Sequence, residues 1–171
     1  MLRTFVLRAS LATAVATTIA TAAWNFAPPA LAATSCSELA RVALPGTTID
    51  SATVVAAGTF KRPASAPAED DENTENRERA QQTRLTNERL DASLPAFCRV
   101  MATLKPTTDS DIKVEVWLPA SGWNGKFQGV GNGGWAGVIG YSALANAVNA
   151  GYAAASTDTG HVGNNAQFAP G

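Results

Sequence analysis

The stretch that decides the fold is Trp123-Asn124-Gly125-Lys126-Phe127-Gln128-Gly129-Val130-Gly131-Asn132-Gly133-Gly134-Trp135-Ala136-Gly137. A strand from Val114 to Leu118 runs up to Pro119 ahead of it, and a second short strand is expected from Lys126 to Val130. Glycines this dense either let the backbone take positive φ or let another group approach where a Cβ would stand. Behind them, Val138 to Ala150 places Leu144, Ala145 and Val148 at helical spacing, and Gly151 stops the pattern. Tyr152 to Thr157 is short, small and apolar, as a buried parallel strand would be. A glycine loop between a strand and a helix presents backbone N–H groups to something negative. That is either a phosphate or the oxyanion formed when an ester carbonyl is attacked.

Working outward, Leu94 to Leu104 reads as an extended run, Thr107 to Ser110 as a turn, and Ile112 to Leu118 as an alternating strand. Ile112, Val114, Val116 and Leu118 lie on one face, with Lys113, Glu115 and Trp117 on the other. The two runs are expected to pair as an antiparallel hairpin. Thr47 to Phe60 reads as a further strand with a turn at Gly58. Ser35 and Glu38 have capping-box spacing at the start of a short helix that Pro45-Gly46 ends. Antiparallel strands followed by strand, loop, helix and strand open an α/β sheet. That sheet has too few strands to close over a core, so the chain reads as the front part of a larger domain.

The 171 residues carry a net charge of −1, which gives no electrostatic case for nucleic acid or an anionic membrane. Arg3 and Arg8, the apolar Leu11 to Ala23 and the small-x-small Ala30-Leu31-Ala32 make residues 1–32 a signal peptide. Asn25, Pro28 and Pro29 break that run too early for a membrane anchor. Residues 33–171 are thus expected to be secreted or periplasmic. In an oxidising compartment the two cysteines, Cys36 and Cys98, most simply form a disulfide. It would close a loop of about sixty residues, worth about 4 kcal/mol. Two cysteines and one histidine argue against a structural zinc site. From Lys61 to Arg89, prolines give way to Glu69-Asp70-Asp71-Glu72 and then to a polar run. With so little to bury, this segment reads as an exposed, flexible loop, and its acidic cluster has no EF-hand spacing.

Two chemistries compete for the glycine loop. Gly129-x-Gly131-x-x-Gly134, with Asp158 after the next strand, satisfies the dinucleotide-binding pattern, but a lone glycine match is weak. Acyl transfer needs oxyanion donors, which the amides of Gly131, Gly133 and Gly134 offer. It also needs a nucleophile. Ser142, in Gly140-Tyr141-Ser142-Ala143-Leu144, lacks the second glycine of an elbow and falls within the helical pattern. His161 near Asp158 suggests part of a triad. Without a serine elbow it reads instead as a hydrogen-bonding residue that shapes its loop.

Five motifs in series carry a resemblance. They are Leu94-Pro95-Ala96-Phe97-Cys98-Arg99-Val100, Ile112-Lys113-Val114-Glu115-Val116-Trp117-Leu118-Pro119, Trp123-Asn124-Gly125-Lys126-Phe127, Gly129-Val130-Gly131-Asn132-Gly133-Gly134-Trp135-Ala136-Gly137, and Gly151-Tyr152-Ala153 running on to Ser156-Thr157-Asp158-Thr159-Gly160-His161. In order and spacing the chain from Cys36 onward resembles the N-terminal part of the tannase/feruloyl esterase family. The resemblance implies a secreted α/β-hydrolase, here the incomplete N-terminal part of its sheet, that cleaves small-molecule esters of aromatic acids with a Ser-His-Asp triad. It implies an oxyanion-hole amide within Gly131 to Gly134, Gly134 before Gly133, and a Cys36–Cys98 disulfide. Trp135, beside the donor, either flanks an aromatic acyl group or is a core residue. The family's nucleophile, acid and base, and the calcium site of its lid, fall downstream of Gly171, so no metal or cofactor is expected in this segment. The chain by itself is expected to be inactive. The alternative is a non-catalytic exported module that binds an anionic or aromatic ligand through the same loop.

Overall fold

The structure is a computed structural model that describes residues 35–63 and 74–163. The leader read over residues 1–32 and the acidic cluster Glu69-Asp70-Asp71-Glu72 lie outside the described residues. A short helix, α1 (Cys36–Leu39), begins where the capping box predicts. The Glu38 carboxylate reaches back to accept from the Ser35 N–H at 2.7 Å.

The expected hairpin is present. β2 (Phe97–Leu104) and β3 (Ile112–Pro119) pair antiparallel, from Leu104 opposite Ile112 to Phe97 opposite Pro119. β1 (Thr47–Val55) joins β2 antiparallel, with a bulge between Ile49 and Ser51. Beyond the hairpin come β4 (Phe127–Val130), α3 (Tyr141–Asn149) and β5 (Ala153–Thr157). β5 runs parallel to β4 and antiparallel to β3, so the sheet order is β1-β2-β3-β5-β4. Among the described residues the chain therefore builds a mixed α/β sheet whose parallel pair is connected through α3. A disulfide joins Cys36 to Cys98, stapling α1 to β2.

Burial follows the crossover, not the alternation. Register puts Phe97 and Arg99 of β2 on the same face as Glu115 and Trp117 of β3. That face is the buried one: Phe97 and Trp117 are fully enclosed and Glu115 is buried. Val114, Val116 and Leu118, on the more apolar face, are only half-buried. The cause is α3, whose Leu144, Ala145 and Val148 pack with Phe60, Leu94 and Trp117 into one core. Phe97 stacks on Trp117 with ring centroids 4.4 Å apart. On the other face an open apolar groove of about 460 Å³ runs along Leu104, Ile112, Val114 and Ala155. Parallel strands are ordinarily covered on both faces. Among the described residues, this end of the second face is bare.

One expectation fails. Lys61 to Arg89 reads as a flexible loop, yet Thr74–Ala92 forms a 19-residue helix, α2. The exposure is as expected, since nearly every residue from Thr74 to Glu88 faces solvent. The helix forms despite having no apolar stripe because the segment is rich in Glu, Arg, Gln and Ala and lacks Gly and Pro. Arg84 pairs with Glu88 one turn on. Its C-terminal end is also held by tertiary contacts. Arg62 clamps Asp91 with two bonds of 2.6 and 2.7 Å, and Ser142 of α3 donates to Asn87 at 2.9 Å.

Candidate functional site

β4 and β5 are neighbours and run the same way, so the segments that leave them meet at one end of the sheet. Ligands of open α/β sheets bind at such strand ends. The β4 segment is Gly131 to Gly140, and the β5 segment is Asp158 to Gly163. Three bonds tie them together. Asn132 Nδ2 donates to the Thr157 carbonyl at 2.8 Å, Gly137 N–H to the Gly163 carbonyl at 2.8 Å, and His161 Nε2 lies 2.9 Å from the Trp135 carbonyl. A carbonyl only accepts, so Nε2 carries the proton, and Nδ1 faces the Thr159 hydroxyl at 3.1 Å. His161 thus shapes the loop, as its sequence context suggests.

Within the glycine loop, Ala136 N–H donates to the Gly133 carbonyl at 3.1 Å, closing a turn with Gly134 at its first central position. Gly134 has φ +57°, and Trp135 after it has no positive φ, the pattern of a type II′ turn. A turn of that type places glycine there because an L side chain would be strained. Gly137 is needed for a different reason: a Cβ on it would stand 2.2 Å from the His161 carbonyl oxygen. The N–H groups of Gly133 and Gly134 donate to no group among the described residues. Trp135 is 60% exposed beside them. Gly131, Gly133 and Gly134 also have open space where a Cβ would stand.

The remaining sequence candidates are occupied. Asp158 Oδ1 accepts from the N–H groups of Lys113 and Gly160 at 2.9 and 2.8 Å, which ties the end of β5 to β3. An aspartate so engaged is a fold-bearing residue and a poor match for a ribose acid. Ser142 lies in α3, its Oγ accepting from Arg62 at 2.9 Å while donating to Asn87. It has no base. No group of three or more His, Cys, Asp and Glu side chains among the described residues could hold a metal ion.

Sequence reasoning missed the buried polar centre under α3. Glu115 accepts from Arg99 Nε at 2.8 Å and Nη2 at 2.5 Å, from Trp117 Nε1 at 2.9 Å and from Tyr141 OH at 2.9 Å. The bond to Glu115 holds the Arg99 guanidinium above its ordinary pKa. Burial first, then the Glu115 charge, pushes the Tyr141 phenol up to about 12. The available signal was a glutamate sharing a strand face with a tryptophan, with an arginine one diagonal step away across the hairpin.

Residues 98–171 match the family model described as tannase and feruloyl esterase. Over these residues the chain is similar to the tannase and feruloyl esterase family. An uncharacterized esterase of Xanthomonas campestris pv. campestris is 41% identical over 132 residues, 77% of this chain and 19% of its own. A probable feruloyl esterase B-1 of Aspergillus oryzae is 41% identical over 70 residues, 41% of this chain and 13% of its own. Among solved structures, feruloyl esterase B from Aspergillus oryzae superimposes with a TM-score of 0.57 at 28% identity, over 77% of this chain and 22% of that one. Another esterase from the same fungus gives 0.55 at 25% identity, over 75% of this chain and 22% of its own. The chain spans about a fifth of the bacterial relative's length. The chain's mixed sheet with a helical crossover is of the α/β-hydrolase kind that the feruloyl esterase B structure shares.

Proposed function

We propose that this chain supplies the oxyanion-stabilising loop of a secreted serine esterase that hydrolyses small-molecule esters of aromatic acids. The observation that carries the reading is the pair of N–H groups on Gly133 and Gly134 that donate to no group among the described residues, at the strand end where ligands of such sheets bind. In acyl transfer a serine attacks the ester carbonyl, and negative charge builds on the carbonyl oxygen. Water then hydrolyses the acyl-enzyme. Amides already fixed by a closed turn stabilise that charge without reorganising, and Gly134 is the first donor. Trp135, exposed next to it, flanks the aromatic acyl group in this reading. The acylating serine, its base and its acid are supplied from outside this chain, because Ser142, Asp158 and His161 are engaged in holding the fold. The apolar leader and the Cys36–Cys98 disulfide fit export to an oxidising compartment.

The test is Gly134→Val in a form of the esterase that carries the acylating serine, assayed on an aromatic-acid methyl ester. Displacing one oxyanion donor should cut kcat by about 100-fold with KM little changed. Unchanged turnover assigns the donor to another amide. Esterase activity in neither protein leaves a binding loop, read out by titrating the free aromatic acid against Trp135 fluorescence.

A further inference from the structure

The glycine loop is held at its near end by β4, and at its far end it runs straight into α3. Gly140 N–H donates to Ser156 Oγ at 2.9 Å, and Tyr141, the first residue of α3, sends its hydroxyl 2.9 Å to Glu115 Oε1. Glu115 is 3% exposed and cannot shift, because Arg99 grips both its oxygens and Trp117 Nε1 takes a further site on Oε2. The Tyr141 ring is held too, with Phe60 at 5.9 Å and Trp117 at 6.2 Å between centroids. A carboxylate satisfied by four donors inside an aromatic cluster is a rigid point, whereas Gly131, Gly133 and Gly134 have open space where a Cβ would stand.

We infer that Glu115 is a positioning residue for the glycine loop: through the Tyr141 hydroxyl it fixes the start of α3, and so where the Gly133 and Gly134 amides are presented. It touches no substrate. The inference rests on the oxyanion reading for its catalytic meaning, but the positioning itself is a property of this chain and can be measured in it.

The experiment is amide hydrogen exchange, residue by residue, on the protein and on Tyr141→Phe, which deletes one hydroxyl and keeps the ring. Exchange at Gly137 and Gly140 should rise about five- to ten-fold, while Val116 and Ala154 in the sheet stay as they were. Unchanged exchange at Gly137 and Gly140 overturns the inference. So does an equal rise at Val116 and Ala154, which would mean that the hydroxyl only stabilises the whole fold. Should Tyr141→Phe fail to fold, Trp117→Phe removes a donor from Glu115 while keeping the Tyr141 hydroxyl and an aromatic ring beside it. It should then reproduce the loop-specific rise. In a serine-bearing form of the esterase, Tyr141→Phe should lower kcat several-fold and leave KM in place. Loosened exchange with unchanged kcat keeps the positioning and removes the oxyanion reading. Unchanged exchange beside a kcat lost in Gly134→Val does the reverse.

Discussion

His161 Nε2 lies 2.9 Å from the carbonyl oxygen of Trp135, joining two segments 26 residues apart at the end of the parallel strand pair. That bond fixes the peptide following Trp135, whose N–H end belongs to Ala136 and closes the glycine turn onto Gly133. His161→Ala should therefore act on the turn before it acts on the core. The expected loss of stability is about 1 kcal/mol, the usual worth of one hydrogen bond, and a fall in Tm of a few degrees. Exchange at Ala136 and Gly137 should rise well beyond what that loss explains. Equal change throughout the sheet would assign His161 to the core instead.

The glycines of the loop separate by cause. Gly137→Ala drives a methyl group to within 2.2 Å of the His161 carbonyl oxygen, so the two segments must part. It should be the costliest alanine in the loop, at roughly 2–4 kcal/mol, and should break the Gly137–Gly163 bridge. Gly134→Ala meets no atom but must hold φ +57°, at a cost of about 1–2 kcal/mol. Gly131→Ala and Gly133→Ala meet open space at ordinary φ and should lie within about 0.5 kcal/mol of the parent. Urea unfolding of the four variants gives the ranking. A ranking led by Gly133 would contradict the turn described here.

Much of this arrangement is legible in the residues. The hairpin, the strand before the glycines, the helix stopped at Gly151 and the small parallel strand all follow from period and punctuation, and each is found where expected. What escaped is set by tertiary register. Alternation along Ile112 to Leu118 shows which residues share a face but not which face α3 covers, and the crossover chose the one holding Glu115. Helix α2 escaped because it has no apolar period. Its end is secured by Arg62, which grips Asp91 from 29 residues away, a distance at which no local pattern speaks. The requirement for glycine at 137 is equally invisible, since it comes from a carbonyl 24 positions on.

Tyr141 gives the fold a pH signature. Its phenol is pushed up to about 12, by burial and then by the Glu115 charge, above the ordinary value of 10.0. Folding thus favours the neutral form. The resulting stabilisation is complete below pH 10 and is lost as pH rises through 12. For a half-buried phenol the loss is on the order of 1–2 kcal/mol. The denaturant midpoint should therefore be lower at pH 11.5 than at pH 9, and Tyr141→Phe should flatten that part of the profile. An equal fall in the variant would place the titration at another group.

The Cys36–Cys98 bond acts on a different part of the molecule. Its cysteines are 62 residues apart, and it ties α1 to β2 at the far side of the sheet from the glycine loop. In the chain-entropy account a loop of that length raises the free energy of the unfolded state by about 4 kcal/mol, a large share of what a domain this size commands. Cys36→Ser with Cys98→Ser, or reduction of the parent, should therefore bring the fold close to its unfolding threshold at 25 °C. Conditions that keep the double variant folded should leave exchange at Gly137 and Gly140 unaltered, because neither contact of that loop runs through α1. A double variant as stable as the parent would mean that α1 is held by its contacts with β1 alone.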